Sequence, residues 1–126
     1  MKRYWVFDHP DTANSYNNIA VVYVSQGDYS KALEWNFKAL AIRENILGVE
    51  HPDTELSYYN IANTYYSQGD YSKALEWFLK SYKILLLKLG EAHPNTITCR
   101  DNMELAYNNT SYTEPFDQWL KRNSTT

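Results

Sequence analysis

His9, His51 and His93 are the residues whose type could ligate a transition metal, and Cys99 is the one thiol that could act as a nucleophile or redox group. Their spacing argues against both. Each histidine opens the phrase His-Pro-Asp/Asn-Thr, which returns every 42 residues, so the three occupy equivalent places in successive structural units. Adjacent packed helices lie about 8 to 10 Å apart, whereas a metal holds its nitrogen ligands at about 2 Å. Repeat-related histidines therefore cannot share an ion and are expected in structural loops. Cys99 has no base beside it in a recognisable nucleophile motif, and a single cysteine excludes an intramolecular disulfide framework and fits a reducing compartment. A half-buried place in a helix is expected for it. No glycine-rich phosphate loop is present, and most of the Asp and Glu residues read as solvent-facing charges. Neither catalysis nor a cofactor nor a bound metal is expected.

The elements that carry these residues are written twice. Ser-Gln-Gly-Asp-Tyr-Ser-Lys-Ala-Leu-Glu-Trp runs from Ser25 to Trp35 and again from Ser67 to Trp77, and 25 of 42 positions agree between residues 9–50 and 51–92. A fixed period of this size signals stacked supersecondary units, each completing its core only against a neighbour. In the first unit Tyr16, Ile19, Ala20 and Tyr23 recur at i, i+3, i+4 and i+7, which places them on one face of a helix A from Asp11 to Ser25. Gln26-Gly27-Asp28 ends it, with Gly27 supplying a left-handed residue and Asp28 the cap of a helix B from about Tyr29 to Leu47. Pro52 with Asp53 or Thr54 is expected to open the next helix A, the short polar side chain accepting its free N–H groups. There Tyr58, Ile61, Ala62 and Tyr65 repeat the stripe, and a helix B from Tyr71 to about Leu89 follows. Short connections favour antiparallel hairpins, and Ala32 and Ala74 are small where the helices must approach. Residues 93–126 form a degenerate third unit with a C-terminal cap, and residues 1–8 a lead-in. In that third unit Arg100 and Glu104 replace Tyr58 and Ala62, the Gly-Asp turn is gone, and Pro115 stands for the close-contact alanine. A short last helix, with Pro115 in its first turn and an end near Lys121, is expected to cap the stack.

Tyr58-x-x-Ile61-Ala62-x-x-Tyr65, Gly69-Asp70-Tyr71 and Ala74 followed by Trp77 and Phe78 resemble the tetratricopeptide repeat (TPR) pattern, whose usual period is about 34 residues. The longer helix B and the Leu-Gly-x-x-His-Pro-Asp junction resemble the repeats of kinesin light chains and related bacterial proteins. The resemblance covers residues 9 to about 108. It implies an all-α, right-handed, TPR-like solenoid of antiparallel helix hairpins, with two full 42-residue repeats and a degenerate third. It also implies that the A helices line a concave groove and that the function is protein binding.

Comparing the two copies separates scaffold from variable surface. Helix A differs at Ala13/Glu55, Asn14/Leu56, Asn17/Tyr59, Val21/Asn63, Val22/Thr64 and Val24/Tyr66, most of them on a second helical stripe that the resemblance turns toward the groove. Asn18, Asn60 and Asn102 recur at the repeat period. An amide both donates and accepts, so such a row can pair with the backbone of an extended peptide or with neighbouring helices, and both readings stand. The candidate peptide groove is Asn14, Asn17, Asn18, Val21, Val24, Leu56, Tyr59, Asn60, Asn63, Tyr66 and Asn102. Some tetratricopeptide domains grip the terminal carboxylate of chaperone peptides with cations. At the matching places this chain has Asn17, Val21, Asn60, Thr98 and Asn102, which implies an extended peptide of modest charge instead.

A second class of function, structural self-assembly without a peptide ligand, rests on apolar surface. Leu85, Leu86 and Leu87 replace Arg43, Glu44 and Asn45, leaving a face either sticky or covered by the C-terminal segment. Tyr4, Trp5 and Phe7 align one period back with Ile46, Leu47 and Val49, so the array is expected to start in mid-unit, its first hairpin meeting either a cap or another chain. A homo-oligomer and a capped monomer are both compatible with this pattern. The formal net charge of −3 lacks the basic excess of a nucleic-acid binder. No segment is apolar enough to span a bilayer and none reads as a signal peptide, so no membrane partner and a cytoplasmic location are expected. The Asn-x-Ser/Thr matches at Asn108, Asn109 and Asn123 are set aside accordingly.

Overall fold

Proline fixes φ and lacks an amide donor that the first helical turn could not have used, so each His-Pro step should start a helix. The computed structural model describes residues 9–125. In it α1 (Pro10–Ser25), α3 (Pro52–Gln68) and α5 (Pro94–Asn108) all begin at those prolines. The caps are the histidines and not Asp53 or Thr54. Nδ1 of His9, His51 and His93 accepts the backbone N–H of Asp11, Asp53 and Asn95, each at 3.0 Å. A residue before proline is held extended, and His51 at φ −71° and ψ 142° thereby carries its ring over the open first turn. Asp53 sits inside that turn, and Thr54 is buried, its hydroxyl donating to the Gly48 carbonyl at 2.7 Å.

The B helices are α2 (Tyr29–Leu47) and α4 (Tyr71–Leu89), and both follow the periodicity closely. Asp28 and Asp70 cap them by accepting from Lys31 and Lys73 N–H at 3.2 Å. Gly69 closes α3 in the left-handed region at φ 88°. Gly48 differs: its φ of 91° with ψ of 162° lies in a region essentially restricted to glycine, and it turns the chain into the His-Pro junction.

Among the described residues the fold is all-α, a TPR-like solenoid in which each helix from α1 to α5 packs on the next. Ala32 and Ala74 are completely buried, as close approach of paired helices requires. The core is uneven along the stack. Ala13, Ala39 and Ile42 make a small cluster in the first hairpin, and Leu40, Tyr58 and Ile61 another at its junction with the second. The largest cluster joins Phe78, Tyr82 and Leu85 to Cys99, Met103, Tyr107, Phe116, Trp119 and Leu120. Cys99 is thus wholly buried, which corrects the half-buried place expected for it.

The last helix, α6 (Phe116–Ser124), runs three residues past the expected end at Lys121, and Pro115 is its cap residue, outside the first turn. Phe116, Trp119 and Leu120 are buried, and the Tyr107 ring lies 5.3 Å from Phe116 and 5.5 Å from Trp119. The Tyr107 hydroxyl donates to the Glu114 carbonyl, while Arg100 pairs with Asp117 and Arg122 with Glu114. Leu85, 8% exposed, and half-buried Leu86 belong to this C-terminal core, and Leu87 remains 67% exposed. Tyr4, Trp5 and Phe7 lie outside the described residues. No described helix is long and apolar enough to cross a membrane.

Candidate peptide groove

Two clefts open on the side lined by α1, α3 and α5. The first, of about 190 Å3, is walled by Val21 and Val24 of α1 and by Asn60 and Asn63 of α3. Its floor is closed by buried Asn36 and Thr64: the Asn36 amide donates to the Thr64 hydroxyl at 3.1 Å, which donates to the Asn60 carbonyl at 2.8 Å. The second, of about 270 Å3, is walled by Glu55, Leu56 and Tyr59 of α3, Leu85 of α4 and Asn95 and Thr98 of α5. Both are smaller than the roughly 300 to 1,000 Å3 of small-molecule sites. Their size suits single side chains laid across the helices.

The structure divides the sequence-derived groove set three ways. Val21, Val24, Asn60 and Asn63 line the first cleft, and Leu56 and Tyr59 the second. Asn102 donates to the Tyr59 hydroxyl, so this member of the asparagine row is engaged between α5 and α3. Asn18 is exposed on α1 outside both clefts. Tyr66 is half-buried with its ring 5.2 Å from Tyr71. Asn17 is buried and Asn14 is exposed, and the amides of both are engaged by Arg43.

Arg43 was hidden from the sequence. Only 2% exposed, its guanidinium donates from Nη1 to the Asp53 carbonyl at 3.2 Å and the Ser57 hydroxyl at 2.8 Å, and from Nη2 to Asn14 Oδ1 at 2.8 Å. The Asn17 amide, turned with its oxygen toward Arg43, accepts from Nη1 at 2.6 Å and Nη2 at 3.0 Å. Burial lowers the Arg43 pKa, and the nearby Asp53 charge offsets part of that effect. The buried cation ties α1, α2 and α3 together. Its one sequence signal is that the second copy has Leu85 at the equivalent place.

Glu55 and Ser81 form a second overlooked pair. They replace Ala13 and Ala39 of the first copy, and the Ser81 hydroxyl donates to Glu55 Oε1 at 2.7 Å. The Cys99 thiol points to the same place, 3.7 Å from Ser81 Oγ and 3.5 Å from the Phe78 carbonyl. Burial pushes the Cys99 thiol up to about 12, which leaves no thiolate near neutrality. The histidine Nδ1 atoms are engaged as caps, and no group of three His, Cys, Asp or Glu among the described residues is placed to hold a metal.

Burial also raises the Glu55 pKa, against the lowering effect of the Ser81 hydrogen bond. A carboxyl whose folded pKa lies above its unfolded value binds more protons in the folded state. Its contribution to stability is therefore full at pH below the ordinary carboxylate range and is lost as pH rises through the folded value. Thermal melts of Glu55→Gln and the unaltered chain should differ at pH 7, with the variant more stable, and converge toward pH 4. A gap independent of pH would remove the buried-carboxyl explanation.

Comparison with known proteins matches this geometry. A search of curated proteins gives no match. Among solved structures, a Podosopora anserina protein designated a kinesin light chain, with nearly identical TPR-like repeats, aligns at a TM-score of 0.70 and 26% identity over 79% of this chain and 47% of its own. BtubC (BKLC) from P. vanneervenii aligns at 0.76 and 18% identity, over 92% of this chain and 46% of its own. A singly substituted form of the Podosopora protein aligns at 0.74 and 23%, over 94% of this chain and 56% of its own. The chain spans about half the length of these structures. The family model for the tetratricopeptide repeat matches residues 11–87, more than half of the sequence, a stretch that contains the first cleft and the α3 and α4 walls of the second but not its α5 wall. With the paired helices, the buried alanines and the junction geometry in agreement, the chain belongs to the tetratricopeptide repeat family.

Proposed function

We propose that this chain is a non-catalytic module that binds an extended peptide or partner segment across the clefts lined by its A helices. Tetratricopeptide repeats are in general protein-interaction scaffolds. The observation that carries the finer reading is the first cleft. Val21 is 60% exposed beside exposed Asn63, while the polar floor beneath them is satisfied internally. Apolar walls with amide groups at the rim suit side chains of a peptide whose backbone bonds to the asparagines. No cofactor enters this reading, and a cytoplasmic location accords with the unpaired, buried Cys99. Self-association through Leu85, Leu86 and Leu87 is the weaker alternative, since only Leu87 is freely exposed.

The test is to select random peptides by display on the protein and titrate them by fluorescence anisotropy. Val21→Glu with Asn63→Glu, both at exposed sites, should weaken binding about ten-fold or more, the loss expected when a charge is forced into an apolar subsite. Unchanged affinity would exclude the first cleft.

A further inference from the structure

We propose that the second cleft, between α3, α4 and α5, is a subsite for an arginine side chain of the bound peptide, with the Glu55 carboxylate as its counter-charge. This rests on the peptide-groove reading above and names the chemistry of one position in the ligand. The chain itself shows what such a space holds. Shifted back by one 42-residue repeat, the cleft residues Leu56, Tyr59, Leu85 and Asn95 become Asn14, Asn17, Arg43 and Asp53. Those four are Arg43 and three of the residues it bonds. The place that a guanidinium fills from inside between the first two repeats is thus left open between the second and third, because α4 brings Leu85 there.

The open version is not simply emptied. Asp53, whose charge acts on Arg43 in the filled version, gives way to Asn95, and Ala13 gives way to Glu55, so the carboxylate moves to the α3 wall, where the Ser81 hydroxyl bonded to Oε1 fixes its position. Tyr59 and Leu56 supply an aromatic ring and an apolar side chain beside it, and Asn95 and Thr98 polar groups opposite. A long aliphatic stem ending in a planar cation matches that order of surfaces, since guanidinium pairs with carboxylate and stacks on aromatic rings. The surrounding field has the same sign. The A helices α1, α3 and α5 carry Asp11, Asp53, Glu55, Asp101 and Glu104 against a single basic residue, Arg100, which is paired with Asp117. Only Glu55 of these lines either cleft, and the others give the A helices a net negative charge, which attracts cationic ligands and speeds their capture.

The test uses three pools of acetylated, amidated nonapeptides with arginine, citrulline or glutamate fixed at the centre and Ala, Ser and Gly randomised elsewhere. Binding is followed by methyl NMR of the whole chain at Leu56, Leu85 and Thr98 in the second cleft and at Val21 and Val24 in the first. Citrulline keeps the shape of arginine and removes its charge. The arginine pool should bind about ten-fold or more tighter than the citrulline pool, the scale of one charge-assisted hydrogen bond. Glu55→Gln should bring the two pools together. Leu85→Arg, which restores the internal cation of the first repeat, should fill the cleft and remove the preference by a different route. Equal binding of the arginine and citrulline pools, or a preference that survives in either variant, overturns the subsite while peptide binding at Val21 and Asn63 stands. Absence of any shift at both clefts with every pool overturns the subsite and the peptide-groove reading together.

Discussion

Arg43→Ala is expected to lower the free energy of unfolding by about 3 kcal/mol, read from urea denaturation. The side chain is 2% exposed and donates to Asn14, Asn17, Ser57 and the Asp53 carbonyl. Hydrogen bonds to a charged group contribute about 1.5 to 3 kcal/mol each, and an abandoned buried partner costs about 1 to 3. The released desolvation cost of the guanidinium offsets part of that sum. Small domains have only about 5 to 15 kcal/mol in total, so the loss would bring the chain near its limit. Arg43→Lys keeps the charge but replaces the planar fork by a point donor, and should recover only part of the loss. The second repeat suggests the repair. Arg43→Leu alone leaves its amide partners unpaired, whereas Arg43→Leu with Asn14→Leu and Asn17→Tyr installs the residues found at Leu85, Leu56 and Tyr59 and should restore most of the stability. A loss below about 1 kcal/mol for Arg43→Ala would mean that the four partners find water instead.

How far the chain could be read follows from how local each feature is. Helices α2 and α4, the aspartate caps at Asp28 and Asp70 and the buried contacts of Ala32 and Ala74 were legible because each depends on a few neighbouring residues and is written twice. The histidine caps were missed because imidazole is not among the usual capping side chains; the extended residue before proline is what makes it one. Arg43 was missed for a different reason. Its partners lie on α1 and α3, 26 and 29 residues before it and 10 and 14 after it, so nothing in its own helix marks it as buried. The same fact explains the divided groove set. The variable stripe contains Asn14 and Asn17, but which variable amide is left to meet a ligand is decided by the long side chain reaching in from α2. The Leu85 to Leu87 run shows the complement, with a charged-to-apolar change that looked like sticky surface partly absorbed by the core that α5 and α6 complete.

Phe78→Ala should cost about 3 to 5 kcal/mol, the usual range for removing a fully buried phenylalanine. The ring is 1% exposed, stands 5.6 Å edge-on from Tyr59, and belongs to the cluster that holds Met103, Tyr107 and Trp119. Loss of that volume should loosen α6, and the part of the near-UV circular dichroism contributed by Tyr107, Tyr112 and Trp119 should fall before helical signal is lost. The informative control is Asn36→Ala, because Asn36 holds the equivalent place one repeat earlier and is 3% exposed. It makes a single buried side-chain hydrogen bond to Thr64, whose hydroxyl keeps its donation to the Asn60 carbonyl without it, so the cost there should be about 1 to 2 kcal/mol. The difference measures how unlike the two inter-repeat junctions are. The first adds to its Leu40, Tyr58 and Ile61 cluster polar groups that close the floor of one cleft and, with Arg43, fill the place of the other. The second is held by apolar packing, which leaves its cleft open beside Glu55. Equal costs for the two variants would place the same strength in both junctions and undo that contrast.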